Sequence, residues 1–200
     1  MSFLISGPYA DPGLVLRGGQ VVLRPLSLAD HGQWAELRQA SRAHLSPWEP
    51  IWPGDELSRT AFRRRVRHFQ REAHEDQGYA FGVFAPDEAT LLGGASLSNV
   101  RRGVTQAAVL GYWIGARHAR RGLMSQAVRL CLGFAFERLR LHRVEAASMP
   151  SNIASINVLE RNGFQREGLA RRYLKINGAW EDHYLFALIE DDFARGAGER

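Results

Sequence analysis

The chain reads as an α+β protein, a single domain in which helices flank one mostly antiparallel, mixed sheet. Three observations lead there. The predicted elements run strand, two helices, three strands, long helix, strand, helix and hairpin, so most strands neighbour their sequence partners instead of alternating with crossovers. Short turn sequences, Pro86-Asp87-Glu88, Arg101-Arg102-Gly103 and Asn177-Gly178, join consecutive strands tightly enough to make them antiparallel. Finally, 200 residues with 45% hydrophobic content suit one core, and no shift of composition divides the chain.

Residues 1–19 hold two prolines and four glycines without a sustained period, so a loosely ordered start is expected before a strand at 20–24, which Pro25 ends. Ser27 with Asp30 three residues on resembles a capped helix start, and the helix runs to about Ala40 with Leu28, Ala35 and Leu37 inward. In HLSPWEPIWPGDE, residues 44–56, three prolines forbid a regular helix and two tryptophans sit on a stiff loop, either closing the core or lining a site. A second helix spans 57–73: Phe62, Val66, Phe69 and Ala73 form its apolar stripe. Arg59, Arg63, Arg64, Arg67 and Arg71 lie on its other face, a solvated surface or a patch for RNA. Strands follow at 79–85, 91–100 and 104–115, then a helix from about Gly122 to Leu139, apolar on most sides, with Cys131 as core packing. A strand at 143–148, a helix capped by Ser151 or Asn152 and stopped at Asn162-Gly163, and strands at 164–176 and 180–189 complete the domain, and 192–200 is expected to fray.

Composition removes several classes of function. No apolar run approaches the roughly 18 residues of a membrane span, and the start lacks the pattern of a signal peptide. One cysteine allows no internal disulfide, which fits a cytoplasmic protein. The seven histidines show no metal-ligand spacing, so no metal is expected. A net charge of +5 fits an anionic cofactor, an acidic partner or RNA; neither DNA nor membrane is expected as a partner.

The stretch LGYWIGARHARRGLMSQA, residues 110–127, concentrates the chemistry. A strand feeds an arginine-rich loop that opens a helix, an order that points unpaired backbone N–H groups and a positive dipole end at the loop. Arg120 and Arg121 add charge, and Gly122 permits close approach of an anion to the backbone.

GYWIGARHARRGLMSQA and NIASINVLERNGFQREG, in this order of elements, resemble the GNAT superfamily of acetyl-CoA-dependent N-acetyltransferases. Within it the chain is similar to the bacterial ribosomal-protein-alanine N-acetyltransferases, through HLSPWEP, SNVRRG, LGYWIG, RGLM, GLARRYLKINGAWEDH and LFAL in family order across 16–191. The resemblance implies an acyl-CoA N-acyltransferase fold with acetyl-CoA as co-substrate. It implies that backbone amides of Ala119, Arg120, Arg121, Gly122, Leu123 and Met124 hold the pyrophosphate, and that the strand Tyr112, Trp113, Ile114 splays from its neighbour to pair with pantetheine. Asn152 then contacts the cofactor arm, and Ser155 protonates the departing thiolate. The chain departs from the family pattern at Val109, where many members carry a glutamate base, and at Leu159, where a tyrosine acid is common.

Without the strand glutamate, an α-amine of pKa about 8 is easier to acetylate than a lysine of about 10.4, a gap of roughly 3 kcal/mol. The expected acceptor is therefore a protein N-terminus, that of a ribosomal protein, with a ribosome contact through the arginine-rich helix. Alternatives are a small amine such as an antibiotic, amino acid or polyamine, or a non-catalytic RNA- or ribosome-binding module. Glu49 is the candidate for holding the ammonium or relaying its proton, ahead of Glu145, Tyr173 and Asp182.

Overall fold

The computed structural model describes residues 14–198. Eight strands, β1 (Leu16–Gly18), β2 (Val21–Arg24), β3 (Tyr79–Phe84), β4 (Leu91–Arg101), β5 (Ala107–Ile114), β6 (Arg143–Ser148), β7 (Gln165–Ile176) and β8 (Ala179–Ile189), form one sheet in the order β1-β2-β3-β4-β5-β6-β8-β7. Every junction is antiparallel except β5–β6. That parallel junction is short: Ala107↔Arg143, Ala108↔Val144 and Val109↔Glu145 are its only register pairs. Beyond Val109, β5 stays with β4 as far as Ile114 but has left β6, so the sheet opens there as a wedge.

Six α-helices cover the sheet: α1 (His31–Ala40), α2 (Arg42–Leu45), α3 (Arg59–His74), α4 (Leu123–Gly133), α5 (Ile153–Arg161) and α6 (Glu190–Gly198). Side chains alternate across a strand, so each face has its own core. On one face Tyr79, Phe81, Leu97, Ala108, Leu110, Val144, Ala146 and Phe186 pack with Ala127, Val128, Cys131 and Leu132 of α4. On the other, Trp34 and Leu37 of α1 and Phe62 and Val66 of α3 close over Val22, Phe84 and Leu91. Cys131 is fully buried and burial pushes its thiol up to about 12, so it is a core residue. The helix continues past Gly133 only as a π-helical turn, Phe134–Arg138, which delivers Phe134 edge-on to Tyr79 and Phe81.

Three expectations are corrected. Residues 14–19 are not loose: Leu14 is buried, β1 pairs with β2, and Gly19 turns between them at φ +58. Leu28 is 50% exposed because the capped segment starts as a 3-10 turn, Leu28–Asp30, which rotates Trp34 into the core instead. The 192–198 tail is helical; Phe193 stacks at 5.1 Å on Phe136 and under Arg129, and Glu190, Asp191 and Asp192 suit the positive end of α6. The expectations for residues 1–13 and 199–200 lie outside the described residues.

Candidate active site

The loop between β5 and α4 folds as the sequence order requires. A 3-10 turn, Ala116–His118, is followed by extended Ala119, left-handed Arg120 at φ +61 and left-handed Gly122 at φ +74. A Cβ on Gly122 would meet nothing within 4 Å, so glycine is needed there for its backbone conformation and leaves open space beside the chain. Gln126 N donates the first helical bond, to Gly122 O at 3.2 Å, and no side chain caps the helix. The amides of Leu123, Met124 and Ser125 therefore have no intrahelical partner and sit at the positive end of the dipole, an arrangement suited to a phosphate. Arg120 and Arg121 are exposed and form no ion pair among the described residues. Behind them His118 is buried, and burial, then Arg117 and Arg121, push its pKa down; it accepts from Arg117 Nε at 3.0 Å.

In the wedge between β5 and β6 lies a cavity of 160 Å³ lined by Trp48, Tyr112, Ser148, Asn152, Ser155 and His183, among others. Alternation along the strands makes it a passage through the sheet. Tyr112 and Ser148 share the face of Leu110 and Ala146, which carries α4 and α5, whereas Gly111, Ala147 and His183 belong to the opposite face. On the α5 face the Tyr112 hydroxyl lies 2.9 Å from Ser155 Oγ and 3.1 Å from Ser155 O. Asn152 Oδ1 accepts from Ser155 N at 3.1 Å, capping α5 and fixing the serine in its first turn. Burial raises Tyr112 to about 12, outweighing the opposing bond from Ser155, so its proton is retained near neutrality. Ser148 Oγ is buried without a protein partner, leaving one unmet hydrogen bond in the wall. On the far face His183, 3% exposed, donates from Nδ1 to Glu181 O at 3.0 Å.

A larger cavity of 280 Å³ adjoins the passage, sharing Gly111 and Tyr112. Its floor is made of small residues, Ala80, Gly94, Ser96 and Gly111; Trp34, Phe69 and Trp113 wall it. Gly94 is required for this shape, because a Cβ there would stand 2.5 Å from Trp113 Nε1.

Glu49 also lines this cavity, but not as a free carboxylate. Arg38 binds both its oxygens at 2.8 Å and Trp52 Nε1 donates to Oε2 at 2.7 Å. With both oxygens bonded, Glu49 fastens the 44–56 loop to α1, and the role expected for it, holding the acceptor's ammonium or relaying its proton, would have to be shared with these partners. The other candidates stand aside. Glu145 pairs with Arg101 and Arg143, Tyr173 is 49% exposed, and Asp182 accepts from Arg172 N at 2.7 Å. Val109 lies beside Glu145 in register, and Leu159 is core. The sequence reading missed the Tyr112–Ser155 pair, Ser148, His183 and the Arg38 clamp. Only His183 left a signal, a histidine at an inward position of a predicted strand.

Among the described residues no three metal-ligating side chains cluster, and no helix is long and apolar enough to cross a membrane. The model of the acetyltransferase (GNAT) domain matches residues 20–165. A probable N-acetyltransferase of Bacillus subtilis, YjcK, is 37% identical over 89% of this chain and 98% of its own. The [ribosomal protein uS5]-alanine N-acetyltransferase of Escherichia coli is 34% identical over 92% and 95%. Among solved structures, Mycobacterium smegmatis RimJ in complex with CoA-disulfide superposes with a TM-score of 0.83 at 31% identity, covering 92% of this chain and 93% of that one. With an amide-lined helix start beside a split sheet, and a domain match over most of its length, this chain belongs to the GNAT family of N-acetyltransferases.

Proposed function

We propose that the enzyme acetylates the α-amino group of a protein N-terminus, that of a ribosomal protein, in the cytoplasm. The observation that carries the reading is the passage through the sheet: it offers a donor site on the α5 face and a separate approach for an acceptor from the face of the 280 Å³ cavity. The similarity to the uS5-alanine enzyme supports an α-amine as that acceptor. Exposed Arg59, Arg63 and Arg67 on α3 supply a cationic surface suited to the ribosome.

The residues present fit coenzyme A. Amides from Arg120 to Met124, around Gly122 at the start of α4, would hold the pyrophosphate, with Ala119, whose own amide donates to Ala116 O at 3.3 Å, beside them and Arg120 and Arg121 as outer charges. The open edge of β5 at Tyr112, Trp113 and Ile114 would pair with the pantetheine amides, and Asn152 would flank the arm. Acetyl-CoA supplies the activated acetyl thioester. Ser155, bonded to Tyr112, would give a proton to the leaving sulfur, and Tyr112 would replace it.

Incubation with acetyl-CoA and peptides bearing N-terminal alanine, following free thiol, tests this. Turnover is expected on the free peptide and not on its Nα-blocked form. Absence of turnover above background on any α-amine peptide would sink the reading, and turnover on small amines alone would replace it.

A further inference from the structure

The acceptor's proton needs a destination, and Glu49, Glu145 and Asp182 are all committed elsewhere. An amine adds to the face of the thioester carbonyl and sulfur leaves as a different substituent of the tetrahedral carbon, so proton acceptor and proton donor stand at separate positions around the reacting carbon. The wedge passage has that separation: Ser155 and Tyr112 stand on the α5 face and His183 on the other. We propose that His183 Nε2 is the base that takes the proton of the incoming amine.

The local geometry prepares it. A carbonyl oxygen can only accept, so the 3.0 Å contact with Glu181 O fixes the ring proton on Nδ1 and leaves the lone pair on Nε2. Packing holds the ring, with Tyr173 edge-on at 6.0 Å. The titratable groups around it are Tyr112 from β5, Tyr173 from β7 and Glu181 two residues away on its own strand; Asp182 and Tyr184 alternate to the opposite face. No Asp, Glu, Lys or Arg lines the passage among the described residues, while the adjoining cavity carries Glu49 and Arg65. Nε2 first takes a proton from the acceptor's ammonium and passes it to solvent; the neutral nitrogen then bonds the acetyl carbon, and the excess N–H proton leaves by the same route. The C–S bond breaks, the thiolate takes a proton from the Ser155–Tyr112 pair, solvent replaces the proton the pair gave, and the imidazolium returns its own to solvent.

This inference rests on the α-amine reading and is tested separately from it. Asn at 183 keeps a donor for Glu181 O and removes the base. For His183→Asn, kcat/KM at pH 7 should fall by about 100-fold, the typical scale of general-base catalysis. The loss should shrink to about 10-fold at pH 9.5, above the amine's own pKa of about 8, with KM for acetyl-CoA unchanged. A loss equal at every pH overturns the assignment. If peptides are not turned over, the same profile is run on whichever amine the enzyme acetylates, and only the acceptor reading fails. Imidazole 15N spectra of the unsubstituted protein, assigned against His183→Asn, give a readout independent of turnover: the Nδ1–H tautomer is expected at pH 8, and Nε2–H overturns the proposal.

Discussion

Tyr112 and Ser155 are 43 residues apart and meet only because β5 and α5 flank the same wedge. No local pattern announces such a pair, whereas Asn152 as a cap was legible from its neighbours alone. On the proposed role of the pair as one proton donor, Tyr112→Phe and Ser155→Ala should each lower kcat by about 10- to 100-fold. Because they act as a unit, the double variant should be hardly worse than the worse single one, as thiol-release kinetics would show. With its hydroxyl pushed up to about 12, Tyr112 should produce no alkaline decline in rate below about pH 10. Arg38 is a second residue that sequence alone did not single out. It is 7% exposed, holds Glu49 and lies 4.3 Å from the Trp52 ring and 5.0 Å from that of Trp113. Arg38→Ala strands partly buried carboxylates and should destabilise the fold by about 3 kcal/mol in urea unfolding; Glu49→Gln, which keeps the shape, should cost less.

Among the elements, the conformation of the loop proposed to hold the pyrophosphate was legible because its signals are local: an arginine-rich turn, a glycine able to adopt positive φ, and an apolar helix behind it. The hairpin at Asn177-Gly178 was legible for the same reason, with φ of +44 and +89 where the turn demands them. The short β1 and the terminal α6 were not: β1 is a three-residue strand held by its hairpin with β2, too short to show a period, and α6 is held by the distant Phe136. Backbone amides at the start of α4 should dominate anion binding, while exposed arginines contribute screened charge. Arg120→Ala with Arg121→Ala should weaken coenzyme A binding by about 10-fold, and Leu123→Pro should abolish it, because the altered helix start disturbs the amide array. Calorimetric titration separates the two; equal losses would put the binding energy in the side chains.

For the molecule as a whole, paired carboxylates, Asp30 buried and Asp76 half-buried, set the acid limit. Asp30 and Asp76 are each raised by burial, but hydrogen bonds from Arg24 and the Ser27 amide, and from Arg102 and Tyr79, outweigh it and lower both. Depressed values stabilise the fold above the unfolded pKa of about 4 and lose that contribution as pH falls through the folded values. Melting temperature should therefore drop steeply below about pH 4. Asp30→Asn should cost about 2 kcal/mol at pH 7 and flatten that fall.

The β5–β6 junction is also a mechanical seam. Three register pairs at one end are all that ties β1–β5 to β6–β8 within the sheet. A long ligand laid into the open end would rivet the two halves, so affinity and cohesion become one quantity. At a hundred times its dissociation constant, coenzyme A should add about 2.7 kcal/mol to the unfolding free energy. Hydrogen exchange should slow most along the unpaired edge of β5, turning the seam from the first place to open into one of the last.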